Sequence, residues 1–206
     1  MNLSEKYLPL QNLLNKTNIF DGLAPLLLRL YLAPVMIQAG WNKYSAFSDT
    51  AAWFGNPDWG LGLPMPGLLA ALAIAAELVG GVLLLVGLAT RWVAIPLMIT
   101  MLVAAFSVHW ENGWLAIADA SSWLADGTIL YNESIMSAPD KLNAAKSILQ
   151  EHGNYNWLTS SGKFVVLNNG IEFAMTYFIM LFSLFFTGGG RFTSIDYFLS
   201  KKFLNK

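Results

Sequence analysis

The chain contains no cysteine. That excludes thiol catalysis, disulfide exchange, iron–sulfur ligation and covalent haem attachment. Charge is scarce too: 12 Lys and Arg with 13 Asp and Glu make up 12% of 206 residues, against about 25% in an ordinary soluble domain. A net charge of −1 gives no sign of a nucleic-acid partner. No cleavable leader is expected, because residues 1–23 lack an unbroken apolar core and a small-residue cleavage site.

What the chain has instead is apolar length. Hydrophobic residues make up 55% of it, and the mean hydropathy is +0.49. The runs 23–44, 67–89, 92–110 and 164–187 each approach or exceed the length of about 20 residues that spans a bilayer. Lipid leaves a single segment no way but a helix to satisfy its own backbone. The expected fold is therefore an all-α integral membrane protein, a four-transmembrane-helix bundle in one domain over 1–206.

Charge placement orients the bundle. Lys6, Lys16, Arg91, Arg191, Lys201, Lys202 and Lys206 fall on the side of the termini, while the lysines of the opposite loops are diluted among acids. The positive-inside rule then puts both termini in the cytoplasm of a bacterial inner membrane, with 188–206 as a cytoplasmic tail. Leu3, Tyr7, Leu10 and Leu14 recur at helical spacing, so residues 1–22 are expected to lie on the inner surface.

Residues 111–163, between the third and fourth spans, are too long for a simple connection and are expected to form a helical extracytoplasmic cap. "NGWLAIADASSWLADG" carries a short helical pattern that suits the interface. "SAPDKLNAAKSILQEHG" is a clearer helix, with Pro139 and Asp140 in its first turn and Gly153 as its stop. Leu142, Ala145, Ile148 and Leu149 make its apolar stripe.

Titratable groups inside or at the ends of the spans need an account. Glu77 is central in the second span, where a charge costs roughly 2.5–3.5 kcal/mol or more. Arg29 lies two turns into the first span, and Lys43 and His109 close the outer ends of the first and third. Glu172 lies near the outer end of the fourth. Arg29 and Lys43 are about 40° apart in helical phase and share a face, with Gln38 about 180° from Arg29. Ala70, Ala73, Gly80 and Gly81 let another helix approach Glu77 closely. Arg29 is the expected partner of Glu77, as a structural ion pair that fixes helix register. Lys43, Glu77, His109 and Glu172 form the expected ligand-binding cluster. No metal site is expected: Met98 and Met101 lie about 16 and 12 Å from His109 along the helix. Haem held by His109 and His152 would require the cap to fold inward.

An arginine in the first span, "AGWNKY", "AELVGGVLLLVGLATR", the histidine closing the third span, "GIEFA" and "GGGRFTSIDY" together resemble the DoxX family. The resemblance implies a four-helix bacterial membrane protein linked to quinone-coupled redox functions, with Arg29, Lys43, Glu77, His109 and Glu172 as functional positions. The long outer insertion is similar to the HvfX-type subgroup. That likeness implies a role in copper homeostasis, as an accessory in maturation, anchoring or export of a copper-binding modified peptide. Its partners would be that peptide, its maturation proteins and the lipid bilayer, and the chain admits an oligomer. The alternatives are a quinone-linked oxidoreductase subunit, in which Glu172, His109 and Glu77 bind a quinone cofactor, and a small-solute or ion transporter.

Overall fold

A computed structural model of the chain describes Leu8 and residues 11–203. Among these residues there is no strand, only two isolated antiparallel bridges, Ile117 with Leu167 and Asp126 with Tyr131. In chain order the longer helices are α1 (Leu23–Ser45), α2 (Phe47–Gly55), α3 (Pro66–Val86), α4 (Thr90–Val103), α5 (Ala138–His152), α6 (Glu172–Thr187) and α7 (Ile195–Phe203). Three helices are long and apolar enough to cross a membrane: α1, α3 and the run Thr90–Asn112 that α4 opens. α6 is apolar but has 16 residues. Leu3, Tyr7 and Leu10 of the expected surface helix lie outside the described residues, and Leu14 is exposed.

The chain divides into two compact units. The first consists of Met1–Thr100 and Tyr177–Lys206. Within it, α1 and α3 pack closely. Lipid tails are as apolar as leucine, so spans associate through close van der Waals fit between small residues. Gly81 and Gly40 supply that fit: a Cβ on Gly81 would lie 2.7 Å from Ile37 Cγ1, and one on Gly40 would lie 2.8 Å from Leu78 Cγ. Leu32, Ala33, Met36, Ala70, Ile74 and Leu84 are buried. Pro66 suits the first turn of α3, and Gly87, at φ 69°, ends it as Leu88 N–H donates back to Leu83 O. α2 folds back after Ala46 and packs on α3, with Phe54 buried. The segments before α1 and after α6 meet: Arg191 pairs with Asp21 at 3.3 Å, and Thr193 Oγ1 donates to Gly22 O at 3.2 Å.

The second unit is Met101–Thr176. The chain winds through a π-helical turn, Ala104–His109, and a 3₁₀ turn, Trp110–Asn112. Gly113, at φ 73° and ψ −151°, then ends the helix. Ala105, Ile171 and Ala174 form a small core against Ala104, Trp114 and Met175. α5 follows its sequence signals, with Pro139 in the first turn and Gly153 as the stop. Its stripe is only partly used, because Ala145 and Ile148 are exposed.

Two helical expectations fail here. "NGWLAIADASSWLADG" contains no α-helix, and the last helix starts at Glu172, not at residue 164. The two misread stretches pair with each other: Ala118 N–H donates to Val166 O, and the N–H groups of Asn168 and Asn169 donate to Ala116 O. An apolar run of this length reads as helix or strand equally well until its partner is known.

Candidate functional site

Glu77 finds its counter-ion in Lys43. The ammonium donates to both carboxylate oxygens, at 2.9 Å to Oε1 and 2.6 Å to Oε2. The two side chains are unequally placed, Glu77 at 3% exposure and Lys43 at 31%. Local sequence explains the contact. Gly40 stands one turn before Lys43, and a Cβ there would lie 3.0 Å from Glu77 Cβ, so only glycine lets α1 come this near. An ammonium has three N–H donors. Two are spent on Glu77, which leaves one for a further acceptor on a side chain that is 31% exposed.

The expected Arg29–Glu77 pair does not form. Arg29 is fully buried and turns to the far end of α3. Its Nη1 donates to Leu84 O at 3.2 Å and Leu85 O at 3.4 Å, and its Nη2 donates to Thr193 O at 2.7 Å. The physical reason is that the last carbonyls of a helix have no partner within it and carry the negative end of the dipole. A guanidinium fork satisfies them without a carboxylate. Asp196 does the reverse at the start of α4, accepting from Ala89 N–H at 2.7 Å and Thr90 N–H at 2.8 Å. Its own N–H donates to Gly87 O. Arg29 and Asp196 thus tie the segment after α6 to the α3–α4 turn.

In the second unit His109 and Glu172 also bond the main chain. His109 Nδ1 lies 2.9 Å from Asn169 O, which accepts from Asn112 Nδ2 as well. Asn169 adopts φ 59° to present that carbonyl. Glu172 Oε2 accepts from Ala116 N–H at 2.9 Å. The donors that open α6 are met by the facing strand-like segment: Gly170, Ile171 and Glu172 N–H donate to Leu115, Gly113 and Trp114 O. Asn168 and Asn132 complete the framework by donating to Asn112 O, at 2.7 and 3.0 Å. Of the four residues of the expected cluster, the structure joins Lys43 to Glu77, and His109 and Glu172 each brace the backbone in the other unit. Sequence reasoning missed Asp196, Asn112 and Asn132. Their targets are main-chain groups, which every residue offers, and the only sequence signal was polar residues beside apolar runs.

Among the described residues no group of three or more His, Asp or Glu side chains is arranged to hold a metal ion. Outside the spans, Asp119 and Asp126 are held below the usual carboxylate range by hydrogen bonds from Ser121 and Thr128.

Arg29, Lys43 and Glu77 all lie within a stretch that matches a family model. Residues 24–110 match the family model for DoxX. The putative oxidoreductase CatD of Bacillus subtilis (strain 168) is 31% identical over 94 residues, spanning 46% of this chain and 66% of that protein, just under two thirds of its length. No solved structure matches the chain. With apolar helices long enough to cross a bilayer, the chain reads as a membrane protein that is similar to DoxX over residues 24–110, the stretch that holds α1, α3 and α4.

Proposed function

We propose that this protein is the membrane subunit of a proton-coupled redox system, with Lys43 and Glu77 as its proton-exchanging pair. One observation carries the reading: a carboxylate sealed between two spans at 3% exposure, bonded to an ammonium that is 31% exposed. The free N–H of Lys43 suits an oxygen acceptor arriving from the membrane, and Glu77 is placed to hold a proton beside it. A quinone fits these donors, and when bound it supplies two-electron, two-proton chemistry. The chain's own part is to orient the oxygen through Lys43, to store a proton at Glu77 and to exclude water with the α1–α3 contact. Electrons come from a partner, since the sequence offers no thiol or cluster ligand set. The relative's name, putative oxidoreductase, agrees with this reading.

The same reading takes α6 as a fourth crossing, with both termini cytoplasmic in a bacterial inner membrane. It is supported by the contacts of Asp21 and Gly22 with Arg191 and Thr193, which join the start of α1 to the segment after α6. A fourth crossing beside the three long helices agrees with the joining of these two segments. The test is lipid extraction of the purified protein and of Lys43→Met and Glu77→Gln. Wild type should retain a quinone that both folded variants lose. Equal retention in all three would sink the proposal.

A second reading has its own observation. The family match ends at residue 110, and the unit beyond it carries an apolar groove of about 380 Å³ lined by Ala118, Asp119, Leu142, Asn143, Val165 and Val166. Such a groove suits a peptide, as the role in maturing, anchoring or exporting a copper-binding modified peptide requires. Leu142→Asp should then abolish copper tolerance while leaving quinone retention untouched. Unchanged tolerance excludes this reading.

A further inference from the structure

The turn between Trp123 and Tyr131 gathers large exposed side chains in one short stretch. Trp123, Ile129, Leu130 and Tyr131 are 46–68% exposed, although each is large and apolar or aromatic. Neighbouring side chains leave them uncovered, and an isolated surface leucine would be ordinary where four together are not.

The backbone of this turn is closed on itself. Leu124 N–H donates to Ser122 Oγ, and those of Ala125 and Asp126 donate to Ser122 O. Gly127 N–H reaches Leu130 O, Thr128 N–H reaches Asp126 Oδ1, and Ile129 and Leu130 both donate to Trp123 O. Every backbone N–H from Leu124 to Leu130 therefore has an acceptor within the turn. A protein strand that docks by main-chain pairing would find no free donor here. A headgroup–acyl boundary suits such a turn: its N–H groups are met internally, while the carbonyls of Leu124, Gly127, Thr128 and Ile129 hold it at a depth that headgroup water reaches.

Charge points the same way. Residues 111–140 contain no lysine or arginine, so nothing draws this face to an anionic partner. The one charge in the turn, Asp126, accepts from Thr128 N–H at 2.8 Å and limits how deep the turn can sit. Tryptophan and tyrosine beside isoleucine and leucine suit the headgroup–acyl boundary, where one end of an aromatic ring is wet and the other is not.

We propose that the turn from Trp123 to Tyr131 is an interfacial wedge, inserted at the headgroup–acyl boundary of a lipid leaflet. Its ligand is zwitterionic lipid, taken up by shape and apolarity and not by charge. The proposal is independent of the redox reading.

The absence of cysteine allows a clean test, because an introduced one is the only labelling site. Ile129→Cys, and Gln150→Cys on the exposed face of α5 as the comparison, would carry a nitroxide label in full-length protein reconstituted in phosphatidylcholine vesicles. The expected result is an oxygen-to-nickel-complex accessibility ratio several-fold higher at position 129 than at 150, unchanged when anionic lipid is added. Equal ratios at the two positions would place the turn in water and overturn the proposal. A label at 129 shielded from both reagents would show a protein partner over it, and would overturn it as well. A ratio that rises only with anionic lipid would refute the shape-based mechanism.

Discussion

Removing one partner from the Lys43–Glu77 pair leaves very different residues behind. Lys43→Met strands a carboxylate that has almost no access to solvent, and should cost about 3 kcal/mol. Glu77→Leu frees an ammonium on a flexible stem that already reaches the open side, and should cost under about 1 kcal/mol. Unfolding of both variants in detergent checks the order, and the reverse order would mean that Lys43 is the more buried partner. Arg29 belongs to a separate account. Its acceptors are carbonyls of Leu84, Leu85 and Thr193, so a double-mutant cycle between Arg29→Met and Glu77→Gln should show coupling below about 0.5 kcal/mol. Arg29→Lys should still cost about 2 kcal/mol, since an ammonium lacks the fork that spans those carbonyls. Glu77 was legible in the sequence as a charge in an apolar run. Its partner was not, because Arg29 and Lys43 share a face of α1 and nothing in the spacing shows that main-chain carbonyls satisfy Arg29 and leave Lys43 for Glu77.

At the scale of elements, hydropathy located α1, α3 and the third long helix to within a few residues, since each is a continuous apolar run closed by Pro, Gly or charge. It failed where an apolar run pairs as extended chain. "FVVLNN" has the hydropathy of a span, but its backbone bonds to 113–118 and α6 starts only at Glu172. Gly170 makes that junction possible. A Cβ there would meet the carbonyl oxygens of Leu115, Gly113 and Trp114 at 2.5–2.6 Å, and backbone oxygens cannot swing away as side chains do. Gly170→Ala should therefore destabilise the protein by about 1–3 kcal/mol. Gly67, in the first turn of α3, has nothing within 4 Å of such a Cβ, and Gly67→Ala should stabilise by up to about 1 kcal/mol. Thermal unfolding of the two single variants measures both. A neutral Gly170→Ala would mean that the start of α6 is freer than its hydrogen bonds imply.

For the whole molecule the sharpest question is how α6 crosses. Sixteen residues rise about 24 Å, short of a hydrocarbon core of about 30 Å, so a crossing here draws the bilayer thin beside it. If it does cross, cysteines introduced as Ser137→Cys and Ser200→Cys should be labelled from opposite faces in intact cells. Labelling of both from outside would leave α6 in one leaflet. The Arg29 fork also sets an order of events in the cell. Thr193 lies 164 residues after Arg29, roughly 8–33 s of synthesis at about 5–20 residues per second. Through that interval the first span is already made while the carbonyl that completes its guanidinium fork does not exist. The nascent chain must shelter a half-bonded arginine in the insertion machinery, or at the water's edge, until Thr193 arrives. Ribosome stalling or truncation before Thr193 thus releases a protein whose fault lies in α1.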